Sequence, residues 1–171
     1  MPSEPSIRGG NIALRGEHVF FIAVQGNLAN SYTALGRFEQ ALSIDREIYA
    51  RRSTLYGKCH QHTLATAGNL ASTLVDELQQ FDEARAFLRD RIPEATRALG
   101  KDHDQTFKLQ RMYAQSLYEN DSASREDVTE AIATLEDIDR RGTRVYGPAH
   151  PQAVATRNRL AEARETLARL E

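Results

Sequence analysis

Residues 57–84, GKCHQHTLATAGNLASTLVDELQQFDEA, decide the fold, because parts of this segment return at intervals along the whole chain. The segment opens on a Gly-x-x-His connector, continues through an apolar stripe at helical spacing, and closes on an aromatic-x-x-Ala turn. The connector is matched by Gly100-Lys101-Asp102-His103 and Gly147-Pro148-Ala149-His150 and, one residue shorter, by Gly16-Glu17-His18, with successive histidines 42, 43 and 47 residues apart. Such periods fit a repeat made of two helices. The closing alanine, Ala84, is matched by Ala41 and Ala131, and each of the three stands 19 residues before the next connector histidine. From histidine to alanine the distance is 23, 24 and 28 residues, so the spacing places every length change between the two helices of a unit. A helical hairpin absorbs extra residues in its turn.

Columns within the first helix of each unit support this register. One reads Ile22, Leu64, Phe107, Val154; a second reads Leu28, Leu70, Tyr113, Leu160; a third reads Ala29, Ala71, Ala114, Ala161. Large apolar residues on one face bury against a neighbouring helix, and a small residue in register lets two axes approach closely. The pattern predicts helices near 18–35, 38–55, 62–79, 82–98, 104–119, 125–145 and 151–169. Gly36 reads as a left-handed helix stop, and Pro151 sits in a first turn, where its missing amide proton is harmless. Pro93 falls inside a predicted helix and is expected to kink or divide it. The last helix has no second helix after it, and Arg157, Arg159, Glu162, Arg164 and Glu165 read as a solvating cap on the stack. Residues 1–15 read as a flexible leader, 16–171 as the repeat domain. Its units span about 16–57, 58–100 and 101–147, with a capping helix at 148–171.

Composition narrows the function classes. With 171 residues, 40% of them apolar and 27% charged, the chain is of ordinary globular make-up and large enough for a real core. The formal net charge of −2 argues against nucleic-acid or anionic-membrane binding, which reward a large positive excess. The most apolar stretch, His18 to Val24, is too short to cross a bilayer and reads as the buried face of a first helix. Cys59 is the only cysteine, so no intramolecular disulfide forms, and a reducing cytoplasm is the expected location.

These residues resemble the tetratricopeptide repeat, in the long-repeat form of kinesin light chains. The residues that carry the resemblance are Gly147-Pro148-Ala149-His150-Pro151, Thr63-Leu64 with Asn69-Leu70-Ala71, Asn27-Leu28-Ala29, and Gly36-Arg37-Phe38-Glu39-Gln40-Ala41. They cover about residues 16–169. The third and fourth units depart from the pattern, with Met112-Tyr113-Ala114 and Arg159-Leu160-Ala161 where Asn-Leu-Ala is expected. The resemblance implies an all-α, right-handed superhelical stack of about three and a half antiparallel hairpins, whose first helices line a concave face that holds a peptide or partner protein.

On that concave face the register places Asn27 and Asn30, then Asn69, Ser72 and Asp76, then Lys108, Met112, Gln115 and Glu119. Asn27, Asn69 and Ser72 are the expected contacts to a peptide backbone, since an amide side chain supplies both donor and acceptor. Lys108, Met112 and Gln115 of the third unit are expected to set preference, and Asn30 lines the groove beside Asn27 in the first. Lys108, Arg111 and Arg159 would favour an acidic ligand, although Glu119 and Glu162 stand close enough to offset them and leave a solvated mixed-charge face. An architectural role, with end helices stacking on another copy or another chain, is the alternative.

No phosphate loop, nucleophile elbow or His-Glu-x-x-His pattern is present, so no catalytic function and no cofactor are expected. Cys59, His60 and His62 are the only local grouping of soft and nitrogen ligands, and a metal-dependent enzyme built on them, with His103, is the remote alternative. Their spacing is not that of a finger. The connector histidines have a simpler use, in capping the helix that follows each of them.

Overall fold

A computed structural model describes the backbone of residues 8–170 and the side chains of residues 20–170. Seven helices follow in order: α1 (Arg8–Ala34), α2 (Phe38–Tyr56), α3 (Gln61–Ser72), α4 (Phe81–Leu99), α5 (Asp104–Tyr118), α6 (Arg125–Tyr146) and α7 (Pro151–Arg169). Among the described residues there is no strand. Each helix packs on its chain neighbours, and the first helices of successive units also touch, α3 on α5 and α5 on α7. The arrangement is an all-α solenoid. α1 begins at Arg8, earlier than the expected start near 18, so residues 8–15 of the expected leader are helical, while residues 1–7 lie outside the described residues.

The connectors explain where the helices begin. Gly57, Gly100 and Gly147 have φ of 88°, 94° and 87°, and nothing lies within 4 Å of where a Cβ would stand. The left-handed backbone and not crowding therefore requires glycine there. Three residues later His60, His103 and His150 take extended backbone, and each Nδ1 accepts the amide N–H two residues on, from His62, Gln105 and Gln152, at 3.2 Å in all three. A free helix N-terminal donor is thereby paired, as a Ser or Asp cap would pair it. The rings of His60 and His150 also stack on Tyr56 and Tyr146, at 4.9 and 4.7 Å between centroids. His18 lies outside the described side chains. Because His103 makes no such stack, it isolates the cap: His103→Ala is expected to lower unfolding free energy by about 1 kcal/mol and His103→Asn to recover most of it, read by urea unfolding. Equal stability of all three forms would remove the capping role.

The columns form the core. Leu64, Leu70, Ala71, Leu74, Ala84 and Leu88 are buried in one cluster, and Ala114, Leu117, Val128, Leu135 and Leu160 in the next. The columns fail only at the ends, where no described helix lies alongside. Leu28 in α1 is exposed, as are Val154 and Ala161 in α7.

One local expectation is narrowed and another corrected. α4 is not divided at Pro93, one of the two outcomes expected there; Pro93 is exposed, so the carbonyl that loses its intrahelical donor can turn to water. In the second unit the extra residue is not in the turn. It is taken up inside the first helix, whose end from Thr73 to Glu77 winds as a π-helical turn before Gln79 adopts a left-handed φ of 53°, as Gly36 does at 70° in the first unit. The longer insertion of the third unit does lie in its turn, where Ser124 and Asp127 close a capping box on α6.

Candidate peptide-binding groove

The helices α3, α5 and α7 stand side by side, and a polar network crosses them. Lys108 Nζ donates to Asn69 Oδ1 at 3.1 Å. One turn further along, Ser72 Oγ donates to Asp76 Oδ2 at 2.7 Å, and Gln115 Nε2 donates to Asp76 Oδ1 at 3.0 Å and to Glu119 Oε2 at 2.9 Å. Arg159 of α7 approaches the same Asp76 at 3.7 Å. The π-helical turn carries Asp76, so the extra residue of the second unit sets the centre of this network. Beyond it, Tyr118 donates to Glu162 at 2.8 Å, and a cleft of about 480 Å³ opens among Tyr118, Glu119, Glu162 and Glu165.

The expected groove residues fall into three groups. Asn69, Ser72, Lys108 and Gln115 are brought together, although Gln115 is only 4% exposed and already bonded on both sides. Asn27 and Asn30 are exposed on α1, which does not approach α3 as α3 approaches α5, and they stay apart from the network. Met112 is corrected: at 4% exposed it belongs to the core cluster with Leu109 and Leu74, because its side chain fills the space between α3 and α5. Arg159 and Glu162 are likewise groove-side residues, while Arg164 faces out to pair with Glu136 at 2.7 Å.

Arg111 is the most telling residue. It is 7% exposed, its Nη1 is buried without a hydrogen-bond partner, and Arg159 stands near enough to oppose its charge. Burial pushes its guanidinium pKa down, against the pull of Asp104. Lys108 is pushed down as well, by burial first and by Arg111 next. Burial raises the Glu119 carboxyl, against the hydrogen bond from Gln115. The groove thus has a basic floor at Lys108, Arg111 and Arg159 and an acidic end at Glu119, Glu162 and Glu165. The expectation of a solvated mixed-charge face suits the acidic end, but Arg111 is buried, with Asp104 attracting its charge and its Nη1 without a hydrogen-bond partner.

Asp45 was not among the expected residues. It is buried in α2, and desolvation raises its carboxyl to about 6 against the attraction of Lys108 and Arg52. Its signal in the sequence is a charge inside an apolar stripe, Ala41, Leu42, Asp45, Ile48. No metal centre supports the enzyme alternative. Among the described residues no group of three or more His, Cys, Asp or Glu is placed to hold an ion. Cys59 is exposed, and His60 uses its Nδ1 for the cap.

With this geometry in view, residues 20–93 match the family profile of the tetratricopeptide repeat. That segment is tetratricopeptide repeat. Two crystal structures of a Podosopora anserina protein, described as a kinesin light chain with nearly identical tetratricopeptide-like repeats, superpose with TM-scores of 0.69 and 0.67. Each is 23% identical, over 86% of this chain and 67% of that one. At this identity the likeness is one of fold, and it extends the tetratricopeptide arrangement past residue 93 through the third unit and the last helix. No curated protein matches the chain. Tetratricopeptide repeats are in general protein-interaction modules, and no helix among the described residues is long and apolar enough to cross a membrane.

Proposed function

We propose that this tetratricopeptide stack is a non-catalytic scaffold that holds an acidic peptide segment of a partner protein across α3, α5 and α7. The observation that supports this reading is Arg111, a buried guanidinium with an unpaired Nη1 beside a second arginine. A buried charge without a partner is unfavourable, and a carboxylate entering the groove relieves it with charge-assisted hydrogen bonds. Asn69 and Ser72 lie where they can exchange their present bonds for bonds to a peptide backbone. Asn27 and Asn30, apart on α1, are left to a longer ligand that runs beyond α3, while Lys108 and Gln115 select at the centre of the row. Tyr118, Glu119 and Glu162 close the end with negative charge, which suits a basic residue following the acidic one. A reducing cytoplasm fits the single, exposed Cys59.

An array of acidic, basic and neutral decapeptides tests the reading. The native chain is expected to retain acidic peptides, less so as salt rises, because exposed charge attraction is screened. Arg111→Met is expected to weaken retention at least about tenfold, since a buried charge pair loses one partner. Asn69→Asp is expected to weaken it too, by setting a carboxylate against Lys108. Both variants should keep the native circular dichroism. Retention that ignores peptide charge, or that survives Arg111→Met, would remove this assignment.

A further inference from the structure

The first helix carries a face that the repeat itself shows how to cover. Phe21, Val24, Leu28 and Ser31 of α1 occupy the positions of Thr63, Thr66, Leu70 and Thr73 in α3 and of Thr106, Leu109, Tyr113 and Ser116 in α5. In α3 all four are buried, and α2 lies over them, with Arg52 Nη1 bonded to Thr66 Oγ1 and to the His62 carbonyl. In α5 the face is covered in the same way by α4, whose Arg85 reaches the Ser116 carbonyl at 3.4 Å. In α1 no described helix lies over Val24, Leu28 and Ser31, and Phe21 meets only the Arg51 guanidinium of α2, 4.4 Å from its ring centroid. Val24 is 49% exposed there and Leu28 41%, and the face is flanked by Phe20 at 73%, which stands at the position of the exposed His62 of α3, and by Leu35 at 70%. These side chains open on the order of 400 Å² of apolar surface, the scale at which a patch marks a contact site.

Chemistry narrows the occupant. Residues 19–36 contain no charged side chain in a chain where 27% of residues are charged. The partner that fits is itself an apolar, uncharged helix. The stripe Phe20, Val24, Leu28, Ser31, Leu35 meets this description and is complementary to itself when two copies run antiparallel. The two-fold axis then passes between Asn27 and Leu28, so the two Leu28 side chains meet beside it, with Phe20 opposite Leu35 and Val24 opposite Ser31.

We propose that α1 is a self-association face, on which a second copy of the chain lays its own α1 in the place that α2 takes on α3. Each copy contributes less apolar area than the ~800 Å² per partner of a standard stable interface, so the dimer is expected to be a reversible one, with micromolar affinity. A net charge of −2 per chain opposes it little.

Sedimentation of the full chain from about 1 to 200 µM tests the proposal, because mass action shifts a reversible dimer across that range. The expected result is a monomer–dimer equilibrium that Leu28→Glu abolishes, by setting two carboxylates against each other beside the axis, with helicity unchanged. Phe20→Glu, at a more exposed position, should weaken the dimer without touching the core. In a Cys59→Ser background, Leu28→Cys should form a disulfide-linked dimer under mild oxidation. Phe20→Cys should not couple to itself but should couple to a copy carrying Leu35→Cys. A monomer at every concentration, as expected if the face is covered by a helix of another protein, overturns the proposal. So does a dimer indifferent to Leu28→Glu. The monomeric variants should still retain acidic peptides, so loss of self-association and loss of the groove are separately visible.

Discussion

Phe107→Ala lowers the free energy of unfolding by about 3–5 kcal/mol, the usual range for deleting a buried phenyl ring. Phe107 is 1% exposed near the start of α5, with the Tyr146 ring edge-on at 6.0 Å and the Arg141 guanidinium over its face at 4.9 Å. Arg141 in turn bonds Asp102 at 3.1 Å, Asp137 at 2.7 Å and Gln110 at 2.9 Å, so the ring supports the cation that ties α6 to the connector. Removing the ring leaves a cavity and a buried guanidinium with less to rest on. For a chain of this size the thermal midpoint is expected to fall by about 10 °C, read by calorimetry. Arg141→Leu alone and together with Phe107→Ala closes a double-mutant cycle. The two losses should sum to more than the double variant loses, because they share one contact. Strict additivity would mean that ring and cation act separately.

Asp45→Asn raises stability near pH 7.5 by about 3 kcal/mol and changes it by less than about 1 kcal/mol near pH 4. The carboxyl is raised from 3.8 to about 6 in the folded chain, so the folded state binds the proton more tightly than the unfolded state does. The penalty for ionising Asp45 is therefore absent below the unfolded value. It grows between 3.8 and about 6 and is complete above that. Lys108 and Arg52 face Asp45 and reduce the penalty without removing it. Urea unfolding of both forms at the two pH values checks the sign. A native chain more stable than Asp45→Asn at neutral pH would mean that the attraction of Lys108 and Arg52 outweighs desolvation.

Much of the fold was legible before any coordinates. The histidine connectors and the alanine columns are local signals: a left-handed glycine, an imidazole that caps the next helix, and small residues where two axes meet. Each is decided by its own few neighbours in sequence, so spacing alone locates it. The site was legible only in part. Asn69, Ser72, Lys108 and Gln115 share a face by register, and the register holds. Met112 shares it equally by spacing but is drawn into the core, because rotation of a helix about its axis depends on what packs beside it.

The sequence by itself determined the number of units, the helices and their caps, since these follow from periodicity and from backbone preferences a few residues long. Only the tertiary structure decided that the extra residue of the second unit winds into a π-helical turn bearing Asp76, that Arg111 is buried with its Nη1 unpaired, and that no described helix covers the apolar stripe of α1. Those outcomes depend on how one helix approaches the next, and burial is a property of that approach and not of any single residue.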